Sequence, residues 1–173
     1  MELTKTVKLN KGNLFWHYSI VPFLLIVPIL SIWNLLKYHV FNNYDGVKTP
    51  EFAAFEFICV VLAILAYIVQ FKSLRFKEIR IAVDNDKFNI AVHETAKELE
   101  WKIDFHSDNF VRAHRNWNWT ASWGEMITII RHENLILINS ICDPNAFRPS
   151  ITSWGWNRKN VQTFTNRLKK AST

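Results

Sequence analysis

The run of side chains most suited to holding a metal ion is Asp104-Phe105-His106-Ser107-Asp108. On an extended strand alternate residues share a face, so two carboxylates and an imidazole would point the same way. Sets of that kind hold zinc and other divalent ions, and His93, His114 or His132 could be added by neighbouring elements. No H-E-x-x-H or C-x-x-C spacing accompanies them, and Asp and His are ordinary on a solvated strand. No metal is therefore expected. Ser140, Ser150 and Ser153 would be nucleophiles only beside a base and an orienting acid. There is no G-x-S-x-G, and a chain with four glycines offers no phosphate-cradling loop. No catalytic residue and no cofactor is assigned, and the chain is not expected to be an enzyme.

Tryptophan is more conspicuous. Of eight in the chain, Trp117, Trp119, Trp123, Trp154 and Trp156 fall between residues 117 and 156, with Arg112, Arg115 and Arg158 near them in sequence. In W-N-W and W-G-W both rings lie on one side if the backbone is extended. Such rings pack a core, dip into a lipid interface, or anchor a protein partner, where Trp and Arg are enriched. These eight residues are the candidate contacts to a partner or a membrane.

The elements that must position them start with two apolar runs. Leu14 to Leu36 contains no Asp, Glu, Lys or Arg and is long enough to cross a bilayer. Trp16 and Trp33 flank it at headgroup level, and Pro22 and Pro28 are tolerable inside a membrane helix. No small-residue cleavage site follows, so it reads as an uncleaved anchor rather than a signal peptide. Phe52 to Phe71 is the second run. Its one charge is Glu56, near the outer interface, where a hydrated, snorkelling side chain is expected. Ala53, Ala54, Ala63 and Ala66 allow close helix contact. Asp45-Gly46 and Pro50 in the connector fit a hairpin.

Charge orients that hairpin. Lys5, Lys8 and Lys11 precede it, and Lys72, Arg75, Lys77 and Arg80 follow it, whereas Lys37 and Lys48 in the connector are offset by Asp45 and Glu51. The positive-inside rule puts both termini in the cytoplasm of a multi-pass protein of the bacterial inner membrane. The net charge of +6 is concentrated beside the apolar runs; residues 81–173 carry twelve basic and ten acidic side chains. A nucleic-acid partner is therefore not expected, and anionic lipid headgroups are. Cys59 and Cys142 fall on different sides of the membrane boundary and are not expected to pair.

The remaining residues read as mainly β. Ile79, Ile81 and Val83 alternate, and Asp84-Asn85-Asp86 reads as a turn into a half-buried strand carrying Phe88, Ile90 and Val92. Leu99, Trp101, Ile103 and Phe105 alternate next, then Asn109 to His114. Glu125 to Arg131 and Leu135 to Ile141 form a hairpin around His132-Glu133-Asn134. Phe147 to Trp156 is a loop. Val161, Phe164 and Leu168 mark a terminal amphipathic helix with Asn157 as its N-cap. The predicted organisation is a cytoplasmic tail (1–13), a two-helix transmembrane hairpin (14–71), and an α+β cytoplasmic domain (72–173). In that domain six or seven antiparallel strands form a barrel or bent sheet capped by the C-terminal helix.

This order, carried by ELEWKIDF, EMITIIRHENLILIN and NVQTFTNRL, resembles the bacterial pleckstrin-homology-like domains, and YcxB-like membrane proteins in particular. HRNWNWTASWG departs from that pattern. The resemblance implies a PH-like binding module and lends no catalytic residues. The expected function is a membrane-anchored, non-enzymatic module that engages a protein partner or the membrane surface. The second reading is a membrane-embedded immunity protein that neutralises a toxin. The third is a metal-assisted membrane enzyme on Asp104, His106 and Asp108. Homo-oligomerisation is left open.

Overall fold

The computed structural model describes residues 5–41, 50–117, 123–146, 153 and 155–172. The expected Asp45-Gly46 turn and most of the 147–156 loop lie outside them. Three N-terminal helices come first: α1 (Lys11–Tyr18), α2 (Ile20–Phe41) and α3 (Pro50–Ser73). The first apolar run is thus not one straight helix. It bends by 61° between α1 and α2. At the bend the Ser19 amide and hydroxyl both donate to Trp16 O, at 3.3 and 2.9 Å. Pro22 has no N–H to give the Tyr18 carbonyl, so the helix cannot continue through unchanged.

Helix α3 is long and apolar enough to cross a bilayer, and the bent pair α1–α2 is a second candidate. Their packing is inverted relative to a soluble core. The buried positions of α3 are Cys59, Ala63, Ala66 and Gln70, a seam of small and polar residues at helical spacing. Phe57 (69% exposed) and Ile64 (54%) face outward with most of the other large apolar side chains. The Ser31 hydroxyl of α2 donates to the carboxylate of half-buried Glu56. At the other end of the helix pair, His17 Nε2 lies 3.1 Å from Gln70 O, and the Gln70 amide donates back to His17 O.

The second half is β1 (Lys77–Arg80), α4 (Asn85–Leu99), β2 (Lys102–His106), β3 (Phe110–Arg115), β4 (Glu125–His132), β5 (Leu135–Cys142) and α5 (Trp156–Ser172). The five strands form one antiparallel sheet in the order β1-β5-β4-β3-β2. It is an open sheet with β1 and β2 as edges. The expected six or seven strands in a barrel or bent sheet are corrected to five in an open sheet among the described residues, because α4 occupies the stretch that would have supplied another hairpin. The Asp84 carboxylate accepts from the Lys87 amide at 2.7 Å, an N-cap rather than a turn between strands. Phe88, Ala91, Val92, Thr95, Ala96 and Leu99 then make one buried helical stripe, while Ile90 is 54% exposed. Phe88 and Val92 belong to that stripe and Ile90 does not, so the alternation of the three in sequence is coincidental. Glu100 closes the helix in the left-handed region, with φ 58°.

Helices α4 and α5 cover one face of the sheet. Phe88 and Phe164 meet edge to face at 6.2 Å, above Val111, Ala113, Ile127, Ile129, Ile136 and Ile138. Arg167 of α5 forks to Glu94 and Glu98 of α4. The opposite face meets the N-terminal leg: Val7 and Leu74 pack on Met126 and Ile141. Val7 N donates to Leu74 O at 2.9 Å and Phe76 N to Lys5 O at 3.1 Å, so the leg runs beside the exit of α3. Asn139 Nδ2 donates to Ser73 O and Arg75 O, at 2.7 and 2.8 Å, and fastens that exit to the sheet.

Candidate functional site

A β-bulge divides the Asp-His-Asp run. Strand β2 pairs Ile103 with Ala113 and then Phe105 with Arg112, leaving Asp104 as the extra residue. Asp104 and His106 therefore part company, against the expectation of a shared face. Asp104 Oδ1 meets His114 Nδ1 at 2.6 Å on the leg face. His106 turns to the helix face, where Nε2 lies 2.9 Å from Asn89 Oδ1 and its ring stands 5.1 Å from that of His93. Burial, with His93 adding to it and Asp108 opposing, lowers the His106 pKa below its ordinary value. Among the described residues, no three His, Cys, Asp or Glu side chains converge as a metal site.

The tryptophans also separate. Trp156 lies inside the turn onto α5, half-buried, with the Arg115 guanidinium 3.6 Å and the Lys159 ammonium 4.2 Å from its ring centre. Arg115 itself is buried. Its Nε donates to Leu99 O at 3.1 Å and Nη1 to the fully buried Glu125 at 3.4 Å. A chain of hydrogen bonds runs beside it: Trp101 Nε1 to Asn160, Asn160 to Ser140, and Ser140 to Asn157, each at 3.0 Å. Asn157 is not the N-cap of α5; its amide donates to Ser153 Oγ at 2.9 Å. Arg158 is exposed on α5, and Trp119 and Trp154 lie outside the described residues. Trp117 and Trp123 are exposed and stacked obliquely at 6.5 Å, at the start of β4. Gly124 behind them has φ +104°, and a Cβ there would stand 3.0 Å from Arg115 O.

That end of the sheet is also the end that α1 reaches. Asp143 N donates to Gly124 O at 3.0 Å. Beyond it, Pro144, Asn145 and Ala146 line a cavity of about 500 Å³ whose other wall is Asn10, Gly12, Asn13 and Trp16. Exposed Phe15 and Trp16 of α1 therefore sit on the same end of the domain as Trp117 and Trp123. A second cavity, of about 400 Å³, shares Asn145 and is lined by Asp104, Arg112, His114, Met126 and Asp143. Of the candidate contacts, the fold thus presents Trp117, Trp123, Arg112 and Arg158 outward or to a cavity, and places Arg115 inside. The second cavity escaped sequence reasoning, because its residues come from β2, β3, β4 and the segment after β5. Its one local signal is Asp143-Pro144-Asn145, where Asp143 Oδ1 accepts from the Asn145 amide at 2.8 Å in a tight turn.

No protein-family model matches the chain, and no curated protein matches it.

Proposed function

We propose that this chain is an integral membrane protein in which α1–α2 and α3 form a two-helix anchor. Its sheet domain is a non-enzymatic binding module held against the cytoplasmic membrane surface. The observation that carries the reading is the inverted packing of α3, with Ala63 and Ala66 inside and Phe57, Ile58, Ile64 and Leu65 outside. A water-facing surface of that composition would be costly, whereas lipid accepts it and small residues favour helix contact. The basic residues Lys5, Lys8, Lys11, Lys72, Arg75 and Lys77 cluster at one end of the pair, which supports the cytoplasmic side for both termini.

The contact surface in this reading is the aromatic end of the domain: Phe15 and Trp16 on α1, then Trp117 and Trp123. Indole rings favour the headgroup level, and an α1 bent away from the α2 axis suits a helix lying in that layer. The test is quenching of tryptophan emission in bilayers of brominated lipid. Trp117→Phe/Trp123→Phe is expected to lower the quenchable fraction of the full chain. Unchanged quenching would turn the pair into an anchor for a protein partner, a membrane-acting toxin included. Release of the chain by alkaline carbonate would overturn the anchor itself.

A further inference from the structure

The second cavity is lined by a cation, Arg112, that forms an ion pair with neither of the two carboxylates beside it, Asp104 and Asp143. Arg112 projects from β3 on the leg face, and its Nη1 meets only the Met126 sulfur, a weak acceptor, at 3.5 Å. Its Nε is buried and has no hydrogen-bond partner. The ion pairs among the described residues engage Asp104, Glu125, Glu94 and Glu98, none of them with Arg112. Arg112 stands opposite Thr128, and Thr128 opposite Asn139, in one cross-strand row. The Thr128 hydroxyl and Asn139 Oδ1 are likewise buried without partners, on side chains 2% and 3% exposed. Buried polar groups are nearly always satisfied, so the unpaired Arg112 Nε–H and Thr128 hydroxyl, in a row ending at the cavity, call for an acceptor; Asn139 Oδ1, itself an acceptor, does not.

The cavity's own charges indicate its chemistry. Asp104 is engaged by His114, and Asp143 accepts from both the amide and the side chain of Asn145, at 2.8 and 3.1 Å. The Arg112 guanidinium lies 5.5 Å from the Phe110 ring centre and has no carboxylate partner among the described residues, and its planar fork matches phosphate. The residual negative charge of Asp143 at the rim favours a ligand that also carries hydroxyl or amine donors. Through Asn145 the cavity adjoins the one at α1, where Trp16 stands.

We propose that the cavity bounded by Arg112, His114, Asp104 and Asp143 binds a phosphate ester, with Arg112 holding the phosphate. A phospholipid headgroup and a soluble phosphate ester share that chemistry. The lipid source rests on the membrane reading above; the Arg112 site does not.

The test uses the full chain in dodecyl maltoside, which carries no phosphate. One arm titrates glycerol 3-phosphate and phosphoethanolamine by calorimetry. The other adds phosphatidylglycerol or phosphatidylethanolamine to the micelles and reads retained lipid by native mass spectrometry. Saturable binding is expected, weakened roughly tenfold or more by Arg112→Gln and unaffected by Arg80→Gln, an exposed charge on β1. Arg112→Lys, which keeps the charge but not the fork, is expected to bind more weakly than wild type and stands in if Arg112→Gln fails to fold. Binding in the first arm identifies a soluble ligand, and binding in the second alone identifies a lipid. Absence of saturable binding in both arms, or binding indifferent to Arg112, overturns the proposal, whatever carbonate extraction shows about the anchor.

Discussion

Arg115 and His106 show how one residue's surroundings set its role. Arg115 sits between Glu125, Leu99 O and the Trp156 ring, with almost no exposure. Removing one partner of a buried ion pair leaves the other charge without compensation. Glu125→Ala is therefore expected to destabilise the domain by about 3–5 kcal/mol, read from denaturant unfolding of the full chain in detergent. A loss below about 1 kcal/mol, typical of a solvated pair, would contradict the buried geometry. His106 titrates in the other sense. Burial holds its folded pKa below the unfolded value of 6.5, so the unfolded chain binds more protons as pH falls. Its stabilising effect is complete above pH 6.5 and is lost as pH drops through the lowered folded value. The melting temperature should fall between pH 7 and pH 5, and His106→Gln should flatten that fall; a slope the substitution leaves unchanged would assign the effect elsewhere. The residue types at these positions were legible in the sequence, but their surroundings were not. Arg115 looked like a contact residue because its neighbours in sequence are tryptophans, while its neighbours in space are Glu125 and Trp156.

At the scale of elements, α4 carries the sharpest lesson. Apolar residues at 88, 90 and 92 satisfy a strand period, whereas 88, 91, 92, 95, 96 and 99 satisfy a helix, and the longer pattern prevails. Phe88→Ala should cost about 3–5 kcal/mol, as a core aromatic does. Ile90→Glu should change stability by no more than about 0.5 kcal/mol, as an exposed site does. Paired thermal melts of the two variants distinguish the helix from a strand, in which both residues would be buried together. Other elements were readable from short-range pattern alone. The β4–β5 hairpin turns at Glu133, φ 50°, and Asn134 where the sequence indicated, and Phe164 and Leu168 form the buried stripe of α5. The bulge at Asp104 was not readable, because it arises from pairing between β2 and β3 rather than from β2 itself.

For the molecule as a whole, the sheet is held between two unlike layers. The α4–α5 layer supplies an ordinary apolar core, and the other face meets a leg that leads directly into α1 and out of α3. Asn139 and the Val7–Leu74 bond make the helix pair and the sheet mechanically continuous. The α2–α3 contact depends on small side chains, so Ala63→Leu, at a position 2% exposed, should cost about 1–3 kcal/mol of overpacking. Heating in detergent should then separate the helices at lower temperature, while the near-ultraviolet signal of the sheet domain is retained; a substitution without effect would mean that the helices do not pack along this seam. By itself the sequence determined the two apolar runs, the alternation of β3 to β5 and the terminal amphipathic helix, because each is a repeat of hydrophobicity within a few residues. Only the tertiary structure decided that the sheet stays open, that Asp104 and His106 face opposite ways, that Arg115 lies inside, and that Arg112 meets a cavity. Those outcomes depend on strand register and on which layer covers which face, and both are set by contacts between residues far apart in the chain.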